Sequence, residues 1–143
     1  MRTPTLRPHR ASLALGALIA ALAAVFIAGT AVARIVNNTI DPVAVMTGDG
    51  RQVIVTGPIE CTAGERTFIR ITLTQRSTAA FAEGRGVLTC TGSTQQWEVD
   101  APLQGKEVLV DGPAIAVAVA RSTDHGQTTD AHQWLVDVTL VTE

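Results

Sequence analysis

Thr67-Phe-Ile-Arg-Ile-Thr-Leu-Thr-Gln75 decides the fold class. Ile69, Ile71 and Leu73 share one parity. Arg66, Phe68, Arg70, Thr72, Thr74 and Arg76 share the other. Side chains alternate between faces along a strand, whereas along a helix they return to one face about every 3.6 residues. With β-branched residues at most of its positions, the stretch is a strand with one apolar and one polar face.

The same period of two runs outward in both directions. Upstream, Val43 to Thr47 forms a short strand and Gly48-Asp49-Gly50 a tight turn. Arg51 to Cys61 follows, with Val53, Val55, Ile59 and Cys61 on one parity; Gly57-Pro58 within it predicts a bulge or an edge. Downstream, Ser77 to Gly84 is expected as a loop carrying Phe81, and Arg85 to Thr91 as a strand with Leu88 and Cys90 on one face. Gln95 to Asp100 is expected to pair back onto that strand across Gly92-Ser93, with Trp97 and Val99 inward. Glu107 to Asp111 is expected as a short strand. Ala114 to Arg121 is a strand with Ile115, Val117 and Val119 on one face and four alanines on the other. Ser122 to Ala131 is expected as a polar loop. His132 to Thr142 is the last strand, with Trp134, Val136, Val138 and Leu140 inward. No stretch beyond residue 34 carries a helical period, and there is no internal repeat. Seven or eight short strands with turn signals roughly every 8–12 residues predict a β-sandwich or barrel.

Before this part lies a different kind of sequence. Arg2, Arg7, His9 and Arg10 precede an apolar run from Ala11 to Ile27, and Ala31-Val32-Ala33 closes it with small residues. That order is the pattern of a signal peptide cleaved after Ala33, with cleavage after Ala31 as a second choice. The rival is a retained hydrophobic helix over residues 11–33 that anchors the chain in a membrane. Residues 1–33 are therefore the export or anchor segment and residues 34–143 the domain. Both readings place the domain outside the cytoplasm, because the Arg cluster stays inside. Without that segment, 8 basic residues face 13 acidic ones, a net charge of −5. Such a balance argues against nucleic acid as a partner, and against a membrane except through residues 11–33. With 3 Phe, 2 Trp and no Tyr, the chain is poor in stacking platforms.

The only cysteines are Cys61 and Cys90, and each shares parity with core positions of its strand. An even count in an exported chain reads as a disulfide. A metal or redox pair would call for CxxC or a nearby His.

The search for chemistry gives little. Asp124, His125, Asp130 and His132 gather two histidines and two carboxylates, and Asp130 and His132 at i, i+2 are weak metal candidates on what otherwise reads as a solvated hairpin. Ser77, Ser93 and Ser122 lie in expected turns, with no GxSxG. Glu60, Glu65, Glu83, Glu98 and Asp100 fit exposed or turn positions, and Gly84-Arg85-Gly86 is only a turn. Asn37-Asn38-Thr39 is a glycosylation sequon, relevant only in a eukaryotic secretory pathway. No catalytic, metal or cofactor site is expected. The most unusual surface is the outer face of the opening strand, where Arg66, Phe68, Arg70, Thr72 and Arg76 could meet an acidic partner or a glycan.

Several strings carry a resemblance: Gly57-Pro-Ile-Glu-Cys-Thr62, Leu73-Thr-Gln75, Gly86-Val-Leu-Thr-Cys-Thr-Gly92, Trp97, Gly112-Pro-Ala-Ile-Ala-Val-Ala-Val-Ala120 and Asp137-Val-Thr-Leu-Val141. The chain resembles the small secreted actinobacterial proteins of unknown function that place an immunoglobulin-like domain after a signal peptide. The resemblance implies an antiparallel immunoglobulin-like β-sandwich and no activity. One departure is that Trp97 follows the second cysteine instead of lying between the two. Secreted apo-chromoproteins that carry a small antibiotic are similar in size, but their second disulfide is missing here. The expectation is an exported, non-enzymatic binding or interaction module whose partner is an extracellular protein, glycan or small molecule. Two alternatives stand beside it: a small-ligand carrier with a cleft along Ala114–Ala120, and a membrane-tethered structural domain of the envelope.

Overall fold

A computed structural model describes residues 34–143, so the export or anchor segment lies outside the described residues. The described part is all-β. Its seven strands are β1 (Val43–Met46), β2 (Gln52–Ile59), β3 (Arg66–Gln75), β4 (Ala80–Thr89), β5 (Gln95–Pro102), β6 (Gly112–Asp124) and β7 (Gln127–Thr142). They form one sheet in the order β4-β3-β6-β7-β1-β2-β5, which curves into a nearly closed barrel.

The opening strand behaves as its pattern requires. Ile69, Ile71 and Leu73 are fully buried, while Arg66, Phe68, Arg70 and Thr74 face out. Thr67 and Gln75 extend the inner row and are also buried, so both need partners. Thr67 Oγ1 lies 2.6 Å from Ser122 Oγ and 3.0 Å from Cys90 Sγ. The Gln75 side chain donates to the Val110 carbonyl at 2.8 Å and accepts from the Val110 amide at 3.0 Å.

The Gln75 contacts explain why the expected strand at Glu107–Asp111 does not form. The Val110 amide and carbonyl are satisfied by a side chain, and the Leu109 amide donates to the Gly50 carbonyl at 3.0 Å. The segment stays irregular although Leu109 is buried.

Other expectations are corrected by the pairing. Ser77 to Gly84 is not one long loop, because β4 begins at Ala80 and pairs with β3 from Gln75↔Ala80 to Arg66↔Thr89. Its first half contains Ala80, Ala82 and Gly84, poor strand formers chosen by space. A Cβ on Gly84 would collide with the backbone of Asp100 and Ala101 in β5. Gly84-Arg85-Gly86 therefore lies within a strand instead of forming a turn. β5 does not pair back onto β4. It pairs with β2 from Gln52↔Pro102 to Ile59↔Gln95, and Gly57-Pro58 sits in that register without a bulge. Gly57 is required because a Cβ there would collide with the Thr39 carbonyl oxygen and the Trp97 ring. Ser122 to Ala131 is not a loop either. β6 and β7 continue to a tight turn at His125 and Gly126, both with positive φ, and a register shift falls at Ser122/Thr123.

The ladder is mixed, not wholly antiparallel as expected. β1 pairs antiparallel with β2 and parallel with β7. Parity reports which face a residue takes and carries no information on strand direction, which is why this pairing escapes the sequence. At the other side the sheet's two edge strands approach each other. Ala82 bridges Leu103, and the Gln104 amide donates to the Phe81 carbonyl at 2.7 Å. Cys61 and Cys90 form a disulfide with Cα atoms 5.4 Å apart, among the buried residues of the core. Such a bond persists in an oxidising compartment.

Candidate functional site

The outer surface of β4, β3, β6 and β7 is built by cross-strand register. Phe68 lies between Val87 of β4 and Arg121 of β6; Arg70 lies between Arg85 and Val119; Thr72 lies between Glu83 and Val117. On β7, Leu135 stands opposite Val117 and Gln133 opposite Val119. Directly opposed side chains in a sheet are within contact range, so these rows form one continuous surface.

β6 determines its character. The four alanines at 114, 116, 118 and 120 face the core, and the bulky Ile115, Val117 and Val119 face out. The cleft expected along Ala114–Ala120 is thus core packing, with those alanines at most 5% exposed. On the outer side Leu135 is 63% exposed and Val87 54%, with Phe68 and Val119 close to 40%.

Charges sit among these apolar groups. The Arg70 guanidinium donates to Glu83 at 2.9 Å, and Arg85 approaches the same carboxylate at 3.5 Å. The hydrogen bond from Arg70 holds the Glu83 carboxyl below its ordinary pKa. Arg66 and Arg121 are arranged differently. Their guanidinium carbons lie 5.4 Å and 5.8 Å from the Phe68 ring centroid, and among the described residues neither has a carboxylate partner.

Of the residues singled out from sequence, Arg66, Phe68, Arg70 and Thr72 do share one face. Arg76 lies past the end of β3, beside Ser77, Pro113, Ile115 and Asp137 around a shallow depression of about 250 Å³. Arg85, Arg121, Val87, Val119 and Leu135 complete the face and were missed. The signal for Arg121 and Val119 was present as the non-alanine parity of Ala114–Arg121, but its direction was undetermined without a pairing partner.

The weak metal candidates are used otherwise. Asp130 Oδ2 accepts the Ile35 amide at 2.7 Å and Oδ1 accepts the Ala131 amide at 2.8 Å, which ties the start of the domain to β7. His132 packs its ring 5.9 Å from that of Trp134. Asp124 pairs with His125 Nδ1 at 2.8 Å on the exposed turn, away from Asp130. Among the described residues no three His, Cys, Asp or Glu side chains converge. Glu65, expected at an exposed turn, is buried and accepts a hydrogen bond from Thr129 at 3.0 Å. Ser122 is likewise buried, in β6.

No protein-family model matches the sequence, and no curated protein matches it.

Proposed function

We propose that this chain is an exported, non-enzymatic binding module of immunoglobulin-like β-sandwich type that docks a macromolecular partner on the outer face of β4-β3-β6-β7. The observation that carries the reading is the orientation of β6, which directs alanines to the core and Ile115, Val117 and Val119 to the surface. A strand that needed only to be soluble would place those residues the other way round. Exposed apolar groups rimmed by charge mark interaction sites more often than a scattered exposed Leu does.

The strand order supports the immunoglobulin-like reading. In that reading β1, β2 and β5 correspond to strands A, B and E, and β3, β6 and β7 to C, F and G, with β4 added beside C, an assignment compatible with the order β4-β3-β6-β7-β1-β2-β5. The parallel β1–β7 pair is then where the single sheet folds between its two halves. Export is supported by the basic, apolar, small-residue order of residues 2–33 and by the disulfide.

Site-specific photo-crosslinking on intact producing cells tests this function. A crosslinker at Leu135 is expected to capture a discrete partner that one at exposed Glu98 on β5 does not, and Val119→Glu is expected to abolish the product. The recovered chain is expected to begin at Arg34 or Val32. Identical products from both positions, or none from Leu135, would overturn the docking face; a product that keeps Met1 would overturn cleavage.

A further inference from the structure

We propose that Arg66 and Arg121, gathered over the ring of Phe68, recognise the side-chain carboxylate of an acidic peptide segment whose neighbouring apolar residue rests on Val87 and Val119. The inference rests on the docking face proposed above and names its specificity.

Arg70 and Arg85 share the Glu83 carboxylate. Arg66 and Arg121 come from different strands, β3 and β6, yet both lie within 6 Å of one ring centroid. Neither side chain makes an ion pair or a hydrogen bond to the described residues. The nearest acid on the adjoining turn, Asp124, is engaged by His125. Each cation is attracted by the negative face of the Phe68 ring. No carboxylate among the described residues lies within ion-pair distance of either guanidinium.

The groups are also well placed to receive one. They line a depression of about 550 Å³ at the hairpin end of the sheet, together with Phe68, Thr123 and the Asp124–His125 pair of the turn. A guanidinium offers a planar fork of donors that matches a carboxylate two bonds at a time. Val87 stands directly across from Phe68, and Val119 is two residues from Arg121 on the same outer face. Both are more than a third exposed, so an apolar neighbour of the carboxylate has a surface to cover. Extended anionic surfaces fit less well. The domain carries a net charge of −5, which repels an anionic bilayer or polyanion as a whole, whereas a single carboxylate meets only the local pair.

The test is an NMR titration of the chain as recovered from its host, at low salt, with three probes: a capped pentapeptide alternating Leu and Glu, its Leu/Gln counterpart, and inorganic phosphate. Saturable shifts are expected at the Arg66 and Arg121 side-chain N–H signals and the Val87 and Val119 methyls with the Glu peptide. Binding of the Gln peptide, and of the Glu peptide to Arg66→Gln/Arg121→Gln, is expected to be about tenfold weaker, a difference of about 1.4 kcal/mol. Arg76→Gln is expected to change nothing. Unperturbed amide signals elsewhere confirm that each variant is folded. Equal binding of the two peptides, shifts centred on Arg70 and Arg85, phosphate binding as tight as the Glu peptide, or no saturation by about 10 mM would each overturn the proposal. If the Leu135 crosslink survives in the double variant, the docking face stands without acidic recognition. If the crosslink is absent from the unaltered chain, the docking face itself falls.

Discussion

Glu83 shows how single side chains set the charge of the outer face. It stands opposite Thr72 in the register and takes hydrogen bonds from Arg70 and Arg85. The Arg70 bond is the largest cause of its lowered pKa, with burial opposing it. A carboxylate whose folded pKa is depressed stabilises the fold above its unfolded value, and that contribution fades as pH falls through the folded value. The window for Glu83 therefore lies below its ordinary 4.5, and the effect is small and salt-screened because the group is at the surface. Carbon-detected NMR titration of the side-chain carboxyl is expected to show Arg70→Gln moving the midpoint up towards 4.5 and Arg85→Gln moving it less. Equal shifts in the two variants would mean that general field, and not the short Arg70 bond, sets the value. Glu83 also divides the face: Arg70 and Arg85 share its carboxylate, whereas Arg66 and Arg121 have no carboxylate partner among the described residues.

Among the elements, β4 carries the plainest lesson about what a sequence exposes to reading. The face of each strand was legible wherever large apolar residues alternated with polar ones, as in β2, β3 and the end of β7. The inward positions of Cys61, Cys90, Trp97 and Val99 followed from the same parity. It was not legible which strand paired with which, because partners such as β2 and β5 are set by contacts far apart in the chain. Nor was the first half of β4. Gly84 is small because β5 passes close by, Ala80 and Ala82 are buried beside it, and smallness removes the very signal that marks a strand. The candidate face was half legible for the same reason: the β3 residues alternate visibly, while their β6 and β4 neighbours depend on pairing. Gly84→Ala is accordingly expected to destabilise the domain by about 1–3 kcal/mol, since the new methyl group meets backbone that no rotamer change can move. Gly48→Ala, with open space around it, is expected to stay within about 0.5 kcal/mol. Urea unfolding of the two variants checks the contrast, and similar midpoints would refute the close-approach account.

Across the whole molecule, the barrel is held at two places that differ in kind. On one side β1 carries the ladder without a break, pairing with β2 and β7 together. On the other, β4 and β5 share no ladder: they meet through the Ala82–Leu103 bridge, the Gln104–Phe81 hydrogen bond and the close approach of Gly84 and Gly86 to β5. The disulfide joins the chain just past the end of β2 to the chain just past the end of β4, so it fastens the side that the ladder leaves open. Closing a loop of 29 residues is worth about 3.5 kcal/mol in the chain-entropy account. That is a large part of the stability a domain of this size has. Position adds a second effect to that magnitude. In a Cys61→Ala/Cys90→Ala variant, amide exchange is expected to rise first in β4 and β5, while β3 and β6, paired on both sides along most of their length, keep their protection. A uniform rise across all seven strands would show that the crosslink acts only through the unfolded chain. An unequal rise, led by the two edge strands, would show that it also keeps the seam shut. The outer face proposed for docking lies partly on β4, so its Val87 and Arg85 would then loosen with the seam while Arg121 and Leu135 held their places.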